Sequence, residues 1–290
     1  MMNTPRAAAA QTPNPAPAHC ELRRDIEYAS VGNVSLRMDA CIPQSSAKAP
    51  AVIIVHGGGW VRGNRQVDVA PLFQPLSDAG FAWFSIDYRL ATDVLHFGVA
   101  IDDVEQAIRF VKAHAAEYNI DPNALALVGE SAGGQLAAMA ALRATPDESV
   151  KAVVALYAPT DLVTLVKTSE YIPARIRNSV QGTPWEGLIL AGLAQLSPAN
   201  NVRRDMPPFL FIHGTDDALV PISQSRDMCK RMRQAGASCE VFPVEGAGHG
   251  LRWWEAYPDI AAPYKRKMVA WLRAQFNGGD GLASRLQRPS

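Results

Sequence analysis

The chain has 290 residues, 48% of them hydrophobic, and its 28 Lys and Arg residues balance its 28 Asp and Glu residues. A chain of this length and apolar content can bury a substantial core within a single domain. Balanced charge argues against nucleic acid or an anionic membrane surface as a partner, and no apolar run reaches the roughly 18 residues of a membrane span. A small neutral substrate fits this composition better.

The two chain ends are predicted to lie outside the folded domain. Residues 1–20 are rich in Ala and Pro and lack apolar periodicity, which predicts a disordered leader. Residues 7–10 are too short and too weakly apolar to act as the hydrophobic region of a signal peptide. A cytoplasmic location follows for the sequence as given, and a periplasmic or secreted one if a leader has been removed. Residues 21–276 are predicted to form one domain, followed by a flexible tail at 277–290.

The four cysteines, at positions 20, 41, 229 and 239, match no zinc-binding spacing. A turn at Val31-Gly32-Asn33 predicts an antiparallel hairpin that places Cys20 and Cys41 on facing strands. A disulfide between them would suit an oxidising compartment, whereas reduced structural thiols are the more ordinary expectation. The sequence does not indicate whether Cys229 and Cys239 pair.

Strand-like and helical segments then alternate, which predicts a mostly parallel sheet with helices on both faces. The best helix is 101–118, whose apolar residues recur at intervals of three and four. Residues 160–207 interrupt the alternation and are predicted to form a small helical cap that shapes a pocket. Predicted strands cover 51–55, 82–87, 124–128, 153–156, 209–212 and 240–244.

The stretch Gly-Glu-Ser-Ala-Gly-Gly at 129–134 follows a predicted strand and places Ser131 between two glycines. This pattern is typical of a nucleophile elbow, a sharp turn that exposes the serine hydroxyl at the start of a helix. Serine needs a base within hydrogen-bond reach, and that base needs an acid to orient it.

The predicted base is His249, because it follows the last strand on a glycine-rich loop. The predicted acid is Asp217, which follows another strand and completes the chain order Ser, Asp, His. Asp216 is expected to cap the same turn, and Asp161 remains a rival acid. His56 and His213 also follow strands and are expected to brace loops.

His-Gly-Gly-Gly-Trp at 56–60 follows a buried strand, and its glycines let backbone amides approach a developing oxyanion. The amide of Ala132, at the start of the elbow helix, adds a donor. A phosphate-binding loop is the other use of such a run, but no Lys-Ser or Lys-Thr follows it here.

Together these motifs resemble the α/β-hydrolase fold, and in particular the bacterial acetyl-esterase branch that includes bifunctional feruloyl and acetyl-xylan esterases. Asp87-Tyr88-Arg89-Leu90 and His-Gly-Thr-Asp-Asp-Ala-Leu-Val-Pro at 213–221 narrow the resemblance, which covers about residues 25–275. It implies hydrolysis of short acyl or aromatic acid esters, including esters of plant polysaccharide, without a cofactor or metal. The residues it implies are Ser131, Asp217 and His249 as the triad, with the amides of Gly58, Gly59 and Ala132 as oxyanion donors.

Some residues depart from related families and leave alternatives open. Hormone-sensitive-lipase-like relatives usually carry Asp where this chain has Glu130, and Pro where it has Thr92. Arylformamidases share His-Gly-Gly-x-Trp and would cleave N-formylkynurenine with the same residues. A catalytically inactive binding module of this fold is a further alternative. The oligomeric state is not indicated. Candidate substrate contacts are Trp60, Glu130, Trp185 and Trp254.

Overall fold

A computed structural model describes residues 20–91, 98–169 and 182–278. Within these ranges one sheet contains eight strands in the order β1-β2-β4-β3-β5-β6-β7-β8. The strands are β1 Cys20–Val31, β2 Val34–Pro43, β3 Ala49–Val55, β4 Ala82–Ile86, β5 Ile120–Glu130, β6 Ala152–Leu156, β7 Phe209–Gly214 and β8 Cys239–Val244.

The sheet has an antiparallel edge and a parallel centre. β1 and β2 form the hairpin predicted from the turn at Gly32 and Asn33, and β2 also pairs antiparallel with β4. From β4 to β8 every neighbouring pair is parallel. The predicted fold class, a mostly parallel sheet preceded by an antiparallel hairpin, is confirmed. Because the parallel strands share one direction, the loops that follow β3, β5, β7 and β8 all emerge at the same edge.

Helices cover both faces of the sheet, as the alternating pattern predicts. Along β3, Ile53 packs into one buried cluster with α2, α3 and α6, whereas Val52 and Ile54 pack into another with α1 and α8. The helices are α1 Phe73–Asp78, α2 Val99–Ala113, α3 Ala132–Arg143, α4 Leu162–Thr168, α5 Glu186–Gln195, α6 Ser223–Gln234, α7 Leu251–Trp254 and α8 Pro258–Asn277.

The predicted end of helix 101–118 is wrong, because α2 ends at Ala113. The following turn still buries Ala115 and Tyr118, so the apolar spacing continues after the helix has stopped. Asn119 then adopts a left-handed φ of 47°, which reverses the chain into β5.

The two helical pieces expected in residues 160–207 are α4 and α5, and positions 170–181 between them lie outside the described residues, as does Thr92. The predicted leader also lies outside except for Cys20, which begins β1, and the predicted tail lies outside beyond Gly278. Among the residues that are described, no helix combines the length and apolarity required to cross a bilayer.

The four cysteines form two disulfides, Cys20–Cys41 and Cys229–Cys239, with Cα–Cα distances of 5.5 and 5.4 Å. The first joins β1 to β2, and the second joins α6 to the edge strand β8. This corrects the expectation of reduced thiols. The hairpin explains the first pair, whereas the second depends on α6 packing beside β8, which cysteine spacing does not reveal.

Reduction is expected to destabilise the fold at both edges of the sheet. The two disulfides span sequence separations of 21 and 10 residues. Chain-entropy arguments assign about 3 kcal/mol to loops of this size. Urea denaturation with and without reductant measures the loss. The Cys229→Ala/Cys239→Ala variant is the matched control and should lose less on reduction. Thiols that react in the unfolded protein before any reductant is added would contradict the pairing.

Candidate active site

Ser131 lies in the sharp turn between β5 and α3, with a left-handed φ of 51°. Two glycines make this turn feasible. A Cβ on Gly133 would overlap the carbonyl oxygen of Val55, and a Cβ on Gly129 would overlap the Gly133 carbonyl. The Ser131 amide donates to the Leu156 carbonyl at 2.9 Å, which fixes the turn against β6. The elbow is therefore held both by close packing and by the sheet.

A hydrogen-bonded chain runs from Ser131 through His249 to Asp217. The Oγ of Ser131 is 2.9 Å from Nε2 of His249, and Nδ1 of His249 is 2.7 Å from Oδ2 of Asp217. An ionised carboxylate only accepts hydrogen bonds, so Nδ1 carries the proton in the neutral ring and Nε2 is free to accept from the serine hydroxyl. This arrangement lets His249 take the Ser131 proton.

The loop after β7 holds Asp217 as an anion. The amides of Leu219 and Val220 donate to its Oδ1 at 3.0 and 2.8 Å, and Nε2 of His213 lies 3.4 Å from Oδ2. Burial opposes ionisation, but hydrogen bonds from His213 and His249 outweigh it and hold the pKa of Asp217 at about 2. The carboxylate is therefore charged at neutral pH and can stabilise an imidazolium.

The other acid candidates lie elsewhere. Asp216 is exposed and accepts from the Thr215 hydroxyl at 3.2 Å. Asp161 caps α4 by accepting the Thr164 amide at 3.0 Å. The structure therefore brings the predicted base and nucleophile to Asp217, leaves Asp216 exposed beside Thr215, and places Asp161 at the start of α4.

The two histidines that follow strands pack within loops, as the sequence suggests. His56 is buried, stacks on Tyr88 with a ring separation of 4.3 Å, and binds the Gly57 carbonyl through Nδ1. His213 is also buried and contacts the Ser225 hydroxyl and the Val220 carbonyl at 2.7 Å each. Each side chain braces the loop that follows its strand.

The glycine run after β3 makes a tight turn of left-handed residues, with φ of 105° at Gly58, 62° at Gly59 and 65° at Trp60. A Cβ on Gly58 would overlap the Arg62 carbonyl, whereas Gly59 is exposed and would meet nothing within 4 Å. Ala132 is the first residue of α3, so its amide has no partner within the helix. Amides at such positions suit an oxyanion, and their assignment as donors stays a prediction.

Glu130, predicted to contact substrate, is instead buried and only 8% exposed. Its Oε1 accepts the Gly57 amide at 2.6 Å, and its carboxyl is hydrogen-bonded to the hydroxyl of Tyr157. A Cβ on Gly57 would overlap this carboxyl group. The prediction is wrong because the side chain points beneath the glycine run and away from solvent.

Trp254, also predicted to contact substrate, is fully buried. Its ring packs edge-on against Tyr157 and Tyr264, at centroid distances of 5.0 and 5.1 Å, and its Nε1 donates to the Gly248 carbonyl at 2.7 Å. The prediction is corrected because this side chain has no surface to offer and supports the loop that carries His249.

Sequence reasoning missed Tyr157 and Gln135. Tyr157 follows β6, packs edge-on against His249 at 4.7 Å, and accepts the Leu251 amide through its hydroxyl at 2.9 Å. Its left-handed φ of 38° is a structural sign of a constrained position, and no sequence motif marks it. Gln135 follows the elbow glycines and is also fully buried.

Trp60 joins the glycine run to the predicted cap. Its Nε1 donates to Oε1 of Gln135 at 2.9 Å, and Nε2 of Gln135 donates to the Leu196 carbonyl at 2.8 Å. The Trp60 ring also packs on the cluster that includes Leu162 and Leu193 of α4 and α5. Trp185, which precedes α5, is 66% exposed, and its role in substrate binding stays a prediction.

Across residues 20–91, 98–169 and 182–278, no three His, Cys, Asp or Glu side chains are grouped in a way that could hold a metal ion.

Comparison with known sequences places most of the chain in one family. The BD-FAE profile matches residues 38–232. Esterase LipC of Mycobacterium tuberculosis is 33% identical over 217 residues, which cover 70% of this chain and 53% of that protein. An acetylxylan esterase of Xylanibacter ruminicola is 26% identical and covers 76% of this chain and 45% of its own length. The chain spans about half the length of these curated relatives.

Solved structures share the fold. A truncated carbohydrate esterase from gut microbiota superposes with a TM-score of 0.72 at 26% identity, covering 90% of this chain and 99% of its own. Thermogutta terrifontis esterase 2 phosphorylated by paraoxon gives a TM-score of 0.70 at 25% identity, covering 91% and 96%.

Proposed function

The chain belongs to the BD-FAE family of α/β-hydrolase serine esterases, and from that premise we propose that it hydrolyses carboxylic esters with Ser131 as nucleophile. His249 acts as the base and Asp217 as the acid that orients it. The observation that carries the proposal is the unbroken hydrogen-bonded chain of 2.9 and 2.7 Å through these three side chains.

In the first half of the reaction, Nε2 of His249 accepts the hydroxyl proton of Ser131 while Oγ bonds to the ester carbonyl carbon. The carbonyl oxygen becomes an oxyanion, for which the amides of Gly58, Gly59 and Ala132 are the proposed donors. As the tetrahedral intermediate collapses, the bond to the alcohol oxygen breaks and His249 gives it the proton. An acyl group then remains on Ser131.

In the second half, water replaces the alcohol. His249 accepts a proton from water while the resulting hydroxide attacks the acyl carbon, and the Oγ–carbon bond then breaks. The proton returns to Ser131, and the carboxylic acid leaves. Asp217 stays ionised throughout, because its pKa of about 2 is far below neutral pH.

We propose short acyl esters, acetyl above all, and feruloyl esters as substrates, including those on plant polysaccharide. The carbohydrate esterase and acetylxylan esterase relatives support the alcohol side of this assignment. The half-buried Trp60 and the exposed Trp185 offer aromatic surface for a sugar or feruloyl ring.

Purified protein is expected to cleave 4-nitrophenyl acetate faster than longer acyl esters, because the predicted cap limits acyl length. Acetylated xylan and methyl ferulate should react at least about 10-fold faster than N-formylkynurenine, a margin that pocket contacts can supply. Kinetics on this panel measure the preference. A preference for N-formylkynurenine would transfer the chain to the arylformamidase alternative.

A fluorophosphonate probe separates an enzyme from an inactive binding module of this fold. Covalent labelling of Ser131, located by peptide mass spectrometry, is expected because the nucleophile attacks phosphorus as it attacks a carbonyl. Thermogutta terrifontis esterase 2, which shares the fold, is likewise phosphorylated by an organophosphate, paraoxon. A folded protein that takes no label at Ser131 would favour the binding module.

A further inference from the structure

Glu130 is a buried carboxyl group for which the proposed reaction has no direct use. It ends β5, next to Ser131, yet its side chain packs under the glycine run against Gly57. An acidic side chain this deeply buried is costly unless its charge is compensated by hydrogen bonds or by other groups. Its partners therefore indicate what it does.

Those partners belong to the two loops that bracket the serine. The Gly57 amide, at the start of the glycine run, donates to Oε1 at 2.6 Å. The hydroxyl of Tyr157 binds the same carboxyl group and accepts the Leu251 amide, just after His249. One carboxyl group thus links the proposed oxyanion loop to the segment that carries the base.

Tyr157 also contacts the base itself, because the Tyr157 and His249 rings pack edge to face with their centroids 4.7 Å apart. Both Gly57 N–H and Tyr157 O–H are donors, and the carboxylate form of Glu130 accepts from both without adding a buried donor of its own. A negative charge here acts on His249, and it favours the positively charged imidazolium over the neutral ring.

We propose that Glu130 is a positioning residue for the proposed esterase reaction: its carboxylate holds the oxyanion loop through Gly57 and stabilises the His249 imidazolium that forms as Ser131 attacks. Asp217 orients His249 from one side, and Glu130 with Tyr157 supports it from another. The inference rests on the proposed function and adds a second carboxylate to it.

Other charged and titratable groups near Glu130 and His249 set the pH range over which Glu130 is ionised. Burial raises the pKa of Glu130, while hydrogen bonds from Tyr157 and Gly57 and the charge of His249 oppose that rise, and Asp68 adds to it. The negative charge of Glu130 also raises the pKa of the buried Tyr88 hydroxyl, although burial itself is the larger cause. On the other side of His249 stand Asp217 and, bonded to it, His213.

The Glu130→Gln variant removes the charge and keeps the shape and one acceptor oxygen. Its kcat/KM is expected to fall by on the order of 10- to 100-fold near pH 8. The acid limb of its pH profile should also move to lower pH, because the imidazolium loses a stabilising anion. The ratio of activity at about pH 5 to that at about pH 8 should therefore rise severalfold. A purely structural role would lower the rate without moving the limb.

Three further variants complete the test. Glu130→Asp restores the charge, so its acid limb should return toward the wild-type position even if the rate stays low. Tyr157→Phe keeps the ring and removes the hydroxyl whose hydrogen bond lowers the pKa of Glu130. Glu130 is then less ionised at acid pH, so the acid limb should move in the same direction as that of Glu130→Gln but by less. Tyr157→Phe also keeps the proposal testable should Glu130→Gln not fold. Asp216→Asn, which neutralises an exposed carboxylate beside Asp217, should leave the limb in place.

The failure of this inference and the failure of the proposed function are distinguishable. If wild-type Ser131 takes no fluorophosphonate and cleaves no ester, the proposed function and the role of Glu130 are both overturned. If Ser131 reacts but the acid limbs of folded Glu130→Gln and Tyr157→Phe coincide with that of the wild type, only the role of Glu130 is overturned.

Discussion

Replacing Ser131 with alanine is expected to lower kcat on 4-nitrophenyl acetate by on the order of 10⁶-fold, the loss seen when a serine triad acts as a unit. The hydroxyl that lies 2.9 Å from His249 is the only group of the proposed triad able to form the acyl-enzyme. Alanine fits the same space, and the backbone turn is held by Gly129 and Gly133, so the thermal midpoint should change little.

Stopped assays of the variant against the wild type measure this loss, and loss of fluorophosphonate labelling confirms its origin. Ser35→Ala, which changes an exposed hydroxyl on the hairpin, is the matched control and should retain full activity. Activity within a few-fold of wild type in Ser131→Ala would remove the nucleophile from the proposed mechanism.

Replacing Asp217 with asparagine is expected to lower kcat by roughly 10⁴-fold. The amide can donate a hydrogen bond to Nδ1 of His249, which favours the tautomer with its proton on Nε2, so the ring can no longer accept the serine proton. It also removes the anion that stabilises the imidazolium. KM should change much less, because the side chain of Asp217 is fully buried and contacts Ser131 only through His249.

Asp216→Asn is the matched control for this loss, since it alters the neighbouring carboxylate in the same loop. Its side chain is exposed and does not reach His249, so its kcat should stay within about 3-fold of wild type. If the two variants exchange phenotypes, the acid has been assigned to the wrong aspartate.

The sheet and the location of the site could be predicted because both depend on strong local signals. Each proposed triad residue follows a strand of the parallel part of the sheet, namely β5, β7 or β8. Because parallel strands end at one edge of a sheet, residues that follow them can be predicted to lie close together from the sequence alone. The glycines around Ser131 and at 57–59 predict the two tight turns of the candidate site.

The burial of Glu130 and Trp254 could not be predicted, because no local sequence signal marks it. Each is adjacent in sequence to a site segment, but adjacency does not give the direction of a side chain. Glu130 ends β5 with its side chain under the glycine run, whereas Ser131 lies in the left-handed turn that follows, so the strand alternation cannot be carried from one to the other. On α7, Trp253 is 38% exposed whereas Trp254 beside it is fully buried.

Long-range packing explains the other missed features. Tyr157 reaches Leu251 and His249 across 94 and 92 positions of the chain, and Cys229 meets Cys239 only because α6 lies beside β8. The turn after α2 buries Ala115 and Tyr118, so the apolar spacing in the sequence extends past the end of the helix.

The hydrogen bonds from Trp60 to Gln135 and from Gln135 to the Leu196 carbonyl have a consequence for engineering. These two hydrogen bonds connect the glycine run to the first turn of α3 and to the end of α5. Substitutions that shift the end of α5 are therefore expected to displace the glycine run, which carries the proposed oxyanion donors, so selectivity and turnover should change together. Variants that keep the Leu196 backbone in place and change only exposed residues of α5, such as Leu188, should leave the glycine run and the rate unchanged.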